Sequence, residues 1–462
     1  MTEVTSGTDR ETVWRKVALR TFPLLGAAYV LGYIDRVNIG FVAAPLSRDL
    51  GMTNVEIGLT STLFFIGYIL ATVPSNLLLR RFGAPRWIGF TLLAWGTITA
   101  VTAFADSAQT LYVLRVLLGF AEAGLAPGVL LYITYWFPAR QRAWAYPVFI
   151  SVIAVSGIIG APLTAGLLEW GRHLTGLTGW RSVFLIEGLL TILVGVLVMT
   201  RLAKGPETAK WLSVPERERI QRRLDAETAL KHENAVPAGI MDAFRSGRVW
   251  AFAFAFFALT FGIYSFSYFL PQMLQLLADE GGTSPTDATS VLLTAIPSTV
   301  ALVVMLVWPR IFAKRSAVFS TVVPLTAGTA GVVLAALTDN GVAFIAGTCL
   351  AFSGIYTALS QFWRIPVLGL TGAAAAAGIA VINSAGNLTG MVSPLLTGAI
   401  QEATGGFRHA LLLIAFVMSL GVLTMLIVGP RVERTGAGSP PASQRPQRVT
   451  AGRDDSPRKE TS

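Results

Sequence analysis

The chain has 462 residues, 53% of them hydrophobic and only 13% charged, with a formal net charge of +10 and a mean hydropathy of +0.60. Ordinary soluble domains carry about 25% charged residues, so a soluble globular class is excluded, and the basic surplus is better explained by membrane topology than by nucleic acid. A single cysteine, Cys349, leaves no disulfide framework or cysteine-rich metal site, and His173, His232 and His409 show no ligand spacing; no metal, cofactor or nucleic-acid partner is expected.

Taken in order, a polar, mixed-charge stretch (residues 1–20) leads into a full-length apolar run with no small-residue cleavage pattern, so no cleavable signal is expected. Apolar segments of about 20 residues then recur, each long enough to cross roughly 30 Å of hydrocarbon. The short alternating segments of a transmembrane barrel do not occur. The pattern predicts an all-α polytopic membrane protein with twelve transmembrane helices. The first six spans, within residues 21–200, begin near Thr21, Glu56, Arg86, Gln109, Ala143 and Ser182. A polar central segment follows at 201–248, where Ser213 to Ile220 reads as a short amphipathic helix on the cytoplasmic face. The second six spans, within 249–430, begin near Val249, Asp287, Ala317, Gly341, Gly372 and His409. The tail, 431–462, is rich in Pro, Gly, Ser and Arg without an apolar face, and is expected to be disordered.

Charge fixes the orientation. Arg15, Lys16, Arg80, Arg81, Arg86, Arg140, Arg142, Arg310, Lys314 and Arg315 fall at one set of loops, while Asp106, Asp279, Glu280, Asp287 and Asp339 fall at the other. The positive-inside rule then places both termini and the central segment in the cytoplasm.

Two spans carry charges where hydrocarbon disfavours them. Asp35 and Arg36 stand side by side late in span one, and Arg115 and Glu122 lie in span four. A charge at the centre of a membrane helix costs about 2.5–3.5 kcal/mol on insertion scales, so each needs a partner or a wet cavity. Arg115 and Glu122 are seven residues apart, two helical turns, and share one face. Span one runs outward and span four inward, which puts Asp35 level with Arg115 and leaves Arg36 to pair with Glu122. Two acids and two bases make a neutral set that can still take up a proton. A static ion-pair network locking the two helices is the competing reading.

The stretch Tyr33-Ile34-Asp35-Arg36-Val37-Asn38 resembles a signature of the anion:cation symporter family within the major facilitator superfamily. Arg115, Gly119 and Glu122 are similar to the superfamily's fourth-span pattern. Tyr132 to Arg142, Phe362-Trp363 with Ile365-Pro366, and Ala375 to Pro394 resemble the family's fourth-to-fifth loop and its tenth and eleventh spans. The loop Leu79 to Arg86 departs from the pattern, lacking the Asp that often precedes its Arg. Gly157 to Pro162 is only a loose version of a glycine-proline motif of some antiporters, and small-residue packing explains it equally well.

The resemblance implies the major facilitator fold, two six-helix bundles around a central cavity lined by spans one, four, seven and ten. It also implies import of a small organic anion (sugar acid, dicarboxylate or aromatic acid) by proton symport through alternating access, and no enzymatic activity. Within it, Arg36 is the expected principal carboxylate contact, because a planar guanidinium suits bidentate recognition. Glu122 is the leading proton carrier and Asp35 the second. Arg115, Tyr33, Tyr264, Tyr268, Gln361, Asn383 and Asn387 complete the candidate substrate site. The only coupling ion expected is a proton. The partners are the organic anion and the lipid bilayer, and the unit is a functional monomer in a bacterial cytoplasmic membrane. A proton-coupled exporter or drug antiporter on the same fold, or a non-transporting anion sensor, are the alternatives.

Overall fold

The computed structural model describes residues 7–233, 244–280, 285–369 and 373–437. Ten of its helical segments are long and apolar enough to cross a membrane; with Ala84–Thr102 and Ala139–Thr175 they make twelve passes. Span one is Gly7–Phe41, continued by Ala43–Leu50; span two is Asn54–Phe82 and span three Ala84–Thr102. Span four is Ala108–Glu122 and then Leu125–Trp136, span five Ala139–Thr175 and span six Gly179–Arg201. In the second half, span seven is Gly247–Glu280, span eight Asp287–Leu293 with Ala295–Ile311, and span nine Ala317–Leu337. Span ten is Gly341–Phe362 with Arg364–Gly369, span eleven Ala373–Thr404 and span twelve Arg408–Ala437. An even number of passes brings the start of span one and the end of span twelve to one side, here the terminal face; the other is the distal face.

Local chemistry sets the helix starts. Thr53 and Glu56 form a capping box at the head of span two, and Ser107, Ser316 and Asn340 each accept a backbone N–H at the heads of spans four, nine and ten. Gly83 turns the chain between spans two and three at φ +79°, a region that favours glycine, and Pro85 follows in the first turn of span three.

Helices outrun the apolar runs that predicted them. Span one starts at Gly7 rather than near Thr21, and the central helix is Val214–Glu233 rather than Ser213 to Ile220. It begins with Ser213 N–H donating to Glu216 Oε2 (2.8 Å) and docks on span one through Lys16 and Glu216 (2.8 Å). Arg142 of span five also pairs with Glu227 of this helix. Span twelve continues to Ala437, into the stretch expected to be disordered. Glu433 holds it there, accepting the Val318 N–H (3.1 Å) at the head of span nine, where a negative charge meets the helix dipole. The rest of that tail, and residues 234–243 of the central segment, lie outside the described residues.

Two apolar cores position the site. One belongs to the terminal side of the first half, from Val17 and Leu25 through Trp95 and Trp136 to Ile220 of the central helix. The other unites the second half with the distal ends of the first, including Ile39, Leu46, Ile57 and Phe184. The halves are therefore fused on the distal side. Outward-facing Leu70, Val73 and Leu77 of span two, like Leu193 of span six and Phe416 of span twelve, are exposed, the pattern of a surface solvated by lipid.

Candidate functional site: a basic cavity backed by a buried charge cluster

Span one presents Asp35 and Arg36 in different directions, as adjacent helical residues about 100° apart must be. Arg36 turns toward spans two and four. Its Nε donates to Glu122 Oε1 at 2.5 Å, and its guanidinium lies 4.9 Å from the centre of the Tyr68 ring and 5.4 Å from that of Tyr33. Glu122 closes the first segment of span four, and regular helix resumes only at Leu125. Its depth and direction depend on how closely span four lies on span two. Gly119, between Arg115 and Glu122, permits that approach: a Cβ there would stand 2.0 Å from the Phe64 carbonyl oxygen.

Asp35 faces the other way. Trp95 Nε1 donates to its Oδ2 at 2.6 Å, Thr99 Oγ1 at 3.1 Å, and Asn38 Nδ2 donates to Oδ1 at 2.9 Å. The expected ion pair between Asp35 and Arg115 does not form within 4 Å. Instead Arg115 Nη2 reaches Asn38 Oδ1 at 3.5 Å, and its guanidinium lies over Phe184, 5.7 Å from the ring centre. The same Asn38 amide nitrogen donates to a third acid, Glu187 Oε2 of span six, at 3.0 Å. Asp35, Arg115, Glu122 and Glu187 are each no more than 2% exposed. With the partly buried Arg36, the cluster among the described residues is thus three acids and two bases, rather than the neutral set of four expected.

In front of this cluster lies a cavity of about 300 Å³ between the halves. Arg36, Tyr33, Tyr264, Tyr268, Asn383 and Asn387 line it, so six of the sequence-derived candidates share one wall-to-wall space. Asp35, Arg115, Glu122 and Gln361 are not among its lining residues. Gln361 is buried at the end of span ten, where its Oε1 accepts from Arg364 Nη1 at 3.0 Å, so Arg364 has a side-chain partner as well as an end-of-span position. Tyr29, Tyr68, Tyr356 and Phe65 also line the cavity, although sequence reasoning did not single them out, as does Trp363 of the Phe362-Trp363 stretch. An aromatic in an apolar span reads as packing until the helix rotation is known. Phe65 and Tyr264 meet edge-to-face at 5.1 Å across the halves. Behind Tyr264 and Tyr268, spans seven and eleven are tied by hydroxyls, Thr260 to Thr389 at 2.8 Å and Ser265 to Thr397 at 2.9 Å.

Such a wall can bind an anion. Among the described residues lining the cavity Arg36 is the single charged one, the surrounding aromatic surface lowers the local dielectric, and tyrosine hydroxyls and two asparagine amides surround the remaining space.

Known proteins resemble this chain over most of its length. A family model described as Major Facilitator Superfamily matches residues 25–375. A "Putative tartrate transporter" of Agrobacterium vitis is 36% identical over 95% of this chain and 99% of its own. A "Quinolone resistance transporter" of Acinetobacter baumannii is 34% identical over 91% of this chain and 96% of its own. Among solved structures, a bacterial homolog of the human lysosomal transporter Spinster, inward-facing and unoccupied, superposes with a TM-score of 0.72 at 18% identity, covering 94% of this chain and all of that one.

Proposed function

We propose that this chain, which belongs to the Major Facilitator Superfamily, imports a small organic carboxylate by proton symport, its two six-helix halves alternating access to one central site. It is a membrane transporter, not an enzyme. The observation that carries the substrate class is Arg36: one guanidinium on the cavity wall, flanked by Tyr33 and Tyr68, with Asn383 and Asn387 on the opposite half. The names borne by two relatives share a chemistry that fits it, since tartrate is a hydroxylated carboxylate and quinolones are aromatic carboxylates. Arg36 anchors the carboxylate; tyrosine hydroxyls and the asparagine amides read the body of the molecule.

Coupling follows from competition for Arg36. Its Nε donates to Glu122 Oε1. A substrate carboxylate drawing the guanidinium into the cavity leaves Glu122 buried without its cation, and a proton then replaces the lost charge. Substrate and proton enter together and leave together.

The test is uptake of labelled tartrate, gluconate and benzoate into proteoliposomes, with and without an inward proton gradient. One acid accumulates with the gradient, and Glu122→Gln abolishes accumulation while leaving exchange of internal for external substrate intact. Accumulation that ignores the gradient, or survives in Glu122→Gln, removes Glu122 from the coupling role. Export is the second reading, favoured by the aromatic wall and by the relative named for quinolone resistance. In right-side-out vesicles an inward gradient would then drive labelled acid out rather than in.

A further inference from the structure

The buried charges do not balance one to one. Glu122 takes Arg36 at 2.5 Å. Among the described residues, what remains is one cation, Arg115, for two acids, Asp35 and Glu187, and all three meet on a single amide: Asn38 Nδ2 donates to Asp35 Oδ1 (2.9 Å) and to Glu187 Oε2 (3.0 Å), while Asn38 Oδ1 receives Arg115 Nη2 (3.5 Å). Arg115 Nε, in a side chain 2% exposed, has no hydrogen-bond partner, so neither acid claims this cation by contact. An uncompensated carboxylate buried in low dielectric costs far more than a neutral carboxylic acid in the same place.

The two acids are not equivalent. Asp35 accepts from Trp95, Thr99 and Asn38 and shares its helix with the cavity-lining Arg36. Glu187 accepts only from Asn38 Nδ2 and, on Oε1, from Thr164 Oγ1 at 3.2 Å, both neutral donors. Among the described residues it does not line the cavity and has no ion-pair partner. The elements around it bring one further acid, Asp35 on span one; span five contributes the neutral Thr164 and span three the neutral Trp95 and Thr99, with Arg115 of span four reaching only Asn38.

We infer that Glu187 is a further proton-binding site of this transporter, a carboxyl sealed behind the cavity that holds the resting proton of the cluster and is joined to Asp35 by Asn38. The inference deepens the proton-coupled reading and rests on it only for the use made of the proton; its occupancy is independent of any substrate. With Glu187 neutral, Asp35 is left to balance Arg115, and Glu122 to balance Arg36. The substrate then perturbs a neutral cluster.

Infrared difference spectroscopy of the purified full-length protein at neutral pH reads this directly, because a protonated carboxyl has a C=O stretch separate from ionised carboxylate and amide bands. The native protein shows such a band; Glu187→Gln loses it and Glu122→Gln keeps it. A band that survives in Glu187→Gln, or is absent from the native protein, overturns the inference. Thr164→Val, which keeps the side chain's shape and removes the hydroxyl bonded to Glu187, covers the case in which Glu187→Gln does not fold. The band moves to higher frequency in Thr164→Val, and an unmoved band assigns the proton elsewhere. No substrate is present, so a failed uptake assay and a failed proton assignment stay distinct.

Discussion

Arg36 carries the substrate reading, and its chemistry is specific enough to test by a single substitution. Its guanidinium donates to Glu122 and lies against the rings of Tyr33 and Tyr68. A lysine keeps the charge but loses the planar fork and the stacking surface. Arg36→Lys is therefore expected to weaken binding of the transported acid by at least ~10-fold, about 1.4 kcal/mol, measured by calorimetry on purified protein. Equal affinity in Arg36→Lys would reduce the residue to a point charge. Asp35, Arg36, Arg115 and Glu122 were all legible in the sequence, because a charge inside an apolar run stands out against its neighbours. Glu187 obeys the same rule, one acid between Ile186 and Gly188 in an otherwise apolar span. The other charges of that span, Arg181 and Arg201, stand at its ends and no motif surrounds Glu187, so only three-dimensional proximity to Asn38 reveals its partner. The opposite error concerns Arg115 and Gln361, whose polarity suggested substrate contact. The fold turns Arg115 toward Asn38 and Phe184 and Gln361 toward Arg364, away from the cavity lining.

At the scale of elements, span number followed from segment length and hydropathy, since nothing but a helix satisfies its own backbone in hydrocarbon. The ends of helices did not, because beyond the membrane they are decided by side-chain partners such as Glu433 at the head of span nine. The central helix shows the same dependence. Its Glu216 bonds to Lys16 of span one and caps its own first turn at Ser213, and Trp211 just before it stacks on Trp136 at 5.4 Å. Partial burial works to raise the Glu216 carboxyl, but the bonds from Lys16 and Ser213 outweigh it and hold the group below its ordinary range. A carboxyl depressed in the docked state stabilises docking at pH above its free value of about 4.3, and that contribution is lost as pH falls through the lowered value. A nitroxide at exposed Arg222 is expected to stay immobile at neutral pH and to gain mobility on acidification below about pH 4. In Glu216→Gln the mobility should be raised already at neutral pH and should lose that step. An identical step in both proteins would place the acid sensitivity in another pair, such as Arg142 with Glu227.

For the whole molecule the question is which side of the cavity is shut. The halves meet on the distal side with almost no room between backbones: a Cβ on Gly58 would stand 2.6 Å from the Pro394 carbonyl oxygen, and one on Gly398 would stand 2.2 Å from that of Asn54. Hydrogen bonds line the same seam, from Asn54 Nδ2 to Gln401 Oε1 at 2.6 Å and from Val55 N–H to Glu402 Oε2 at 3.4 Å, and Arg48 pairs with Asp287 beyond them. Packing and charge contribute unequally to that closure. The exposed Arg48–Asp287 pair is worth about 0–1 kcal/mol, so Asp287→Asn shifts the population of distal-closed molecules by at most ~5-fold. Gly58→Leu acts differently, because a branched side chain against the span eleven backbone cannot be accommodated by rotamer change, and the distal-closed state becomes inaccessible. Nitroxide pairs at the exposed Thr53 and Thr404 report the separation of spans two and eleven. Gly58→Leu should lengthen that distance in the whole population and stop substrate exchange, which requires both states, while Asp287→Asn leaves a mixture that still exchanges. A short distance retained in Gly58→Leu would mean that the seam yields locally, and that the halves do not move past each other as rigid bodies.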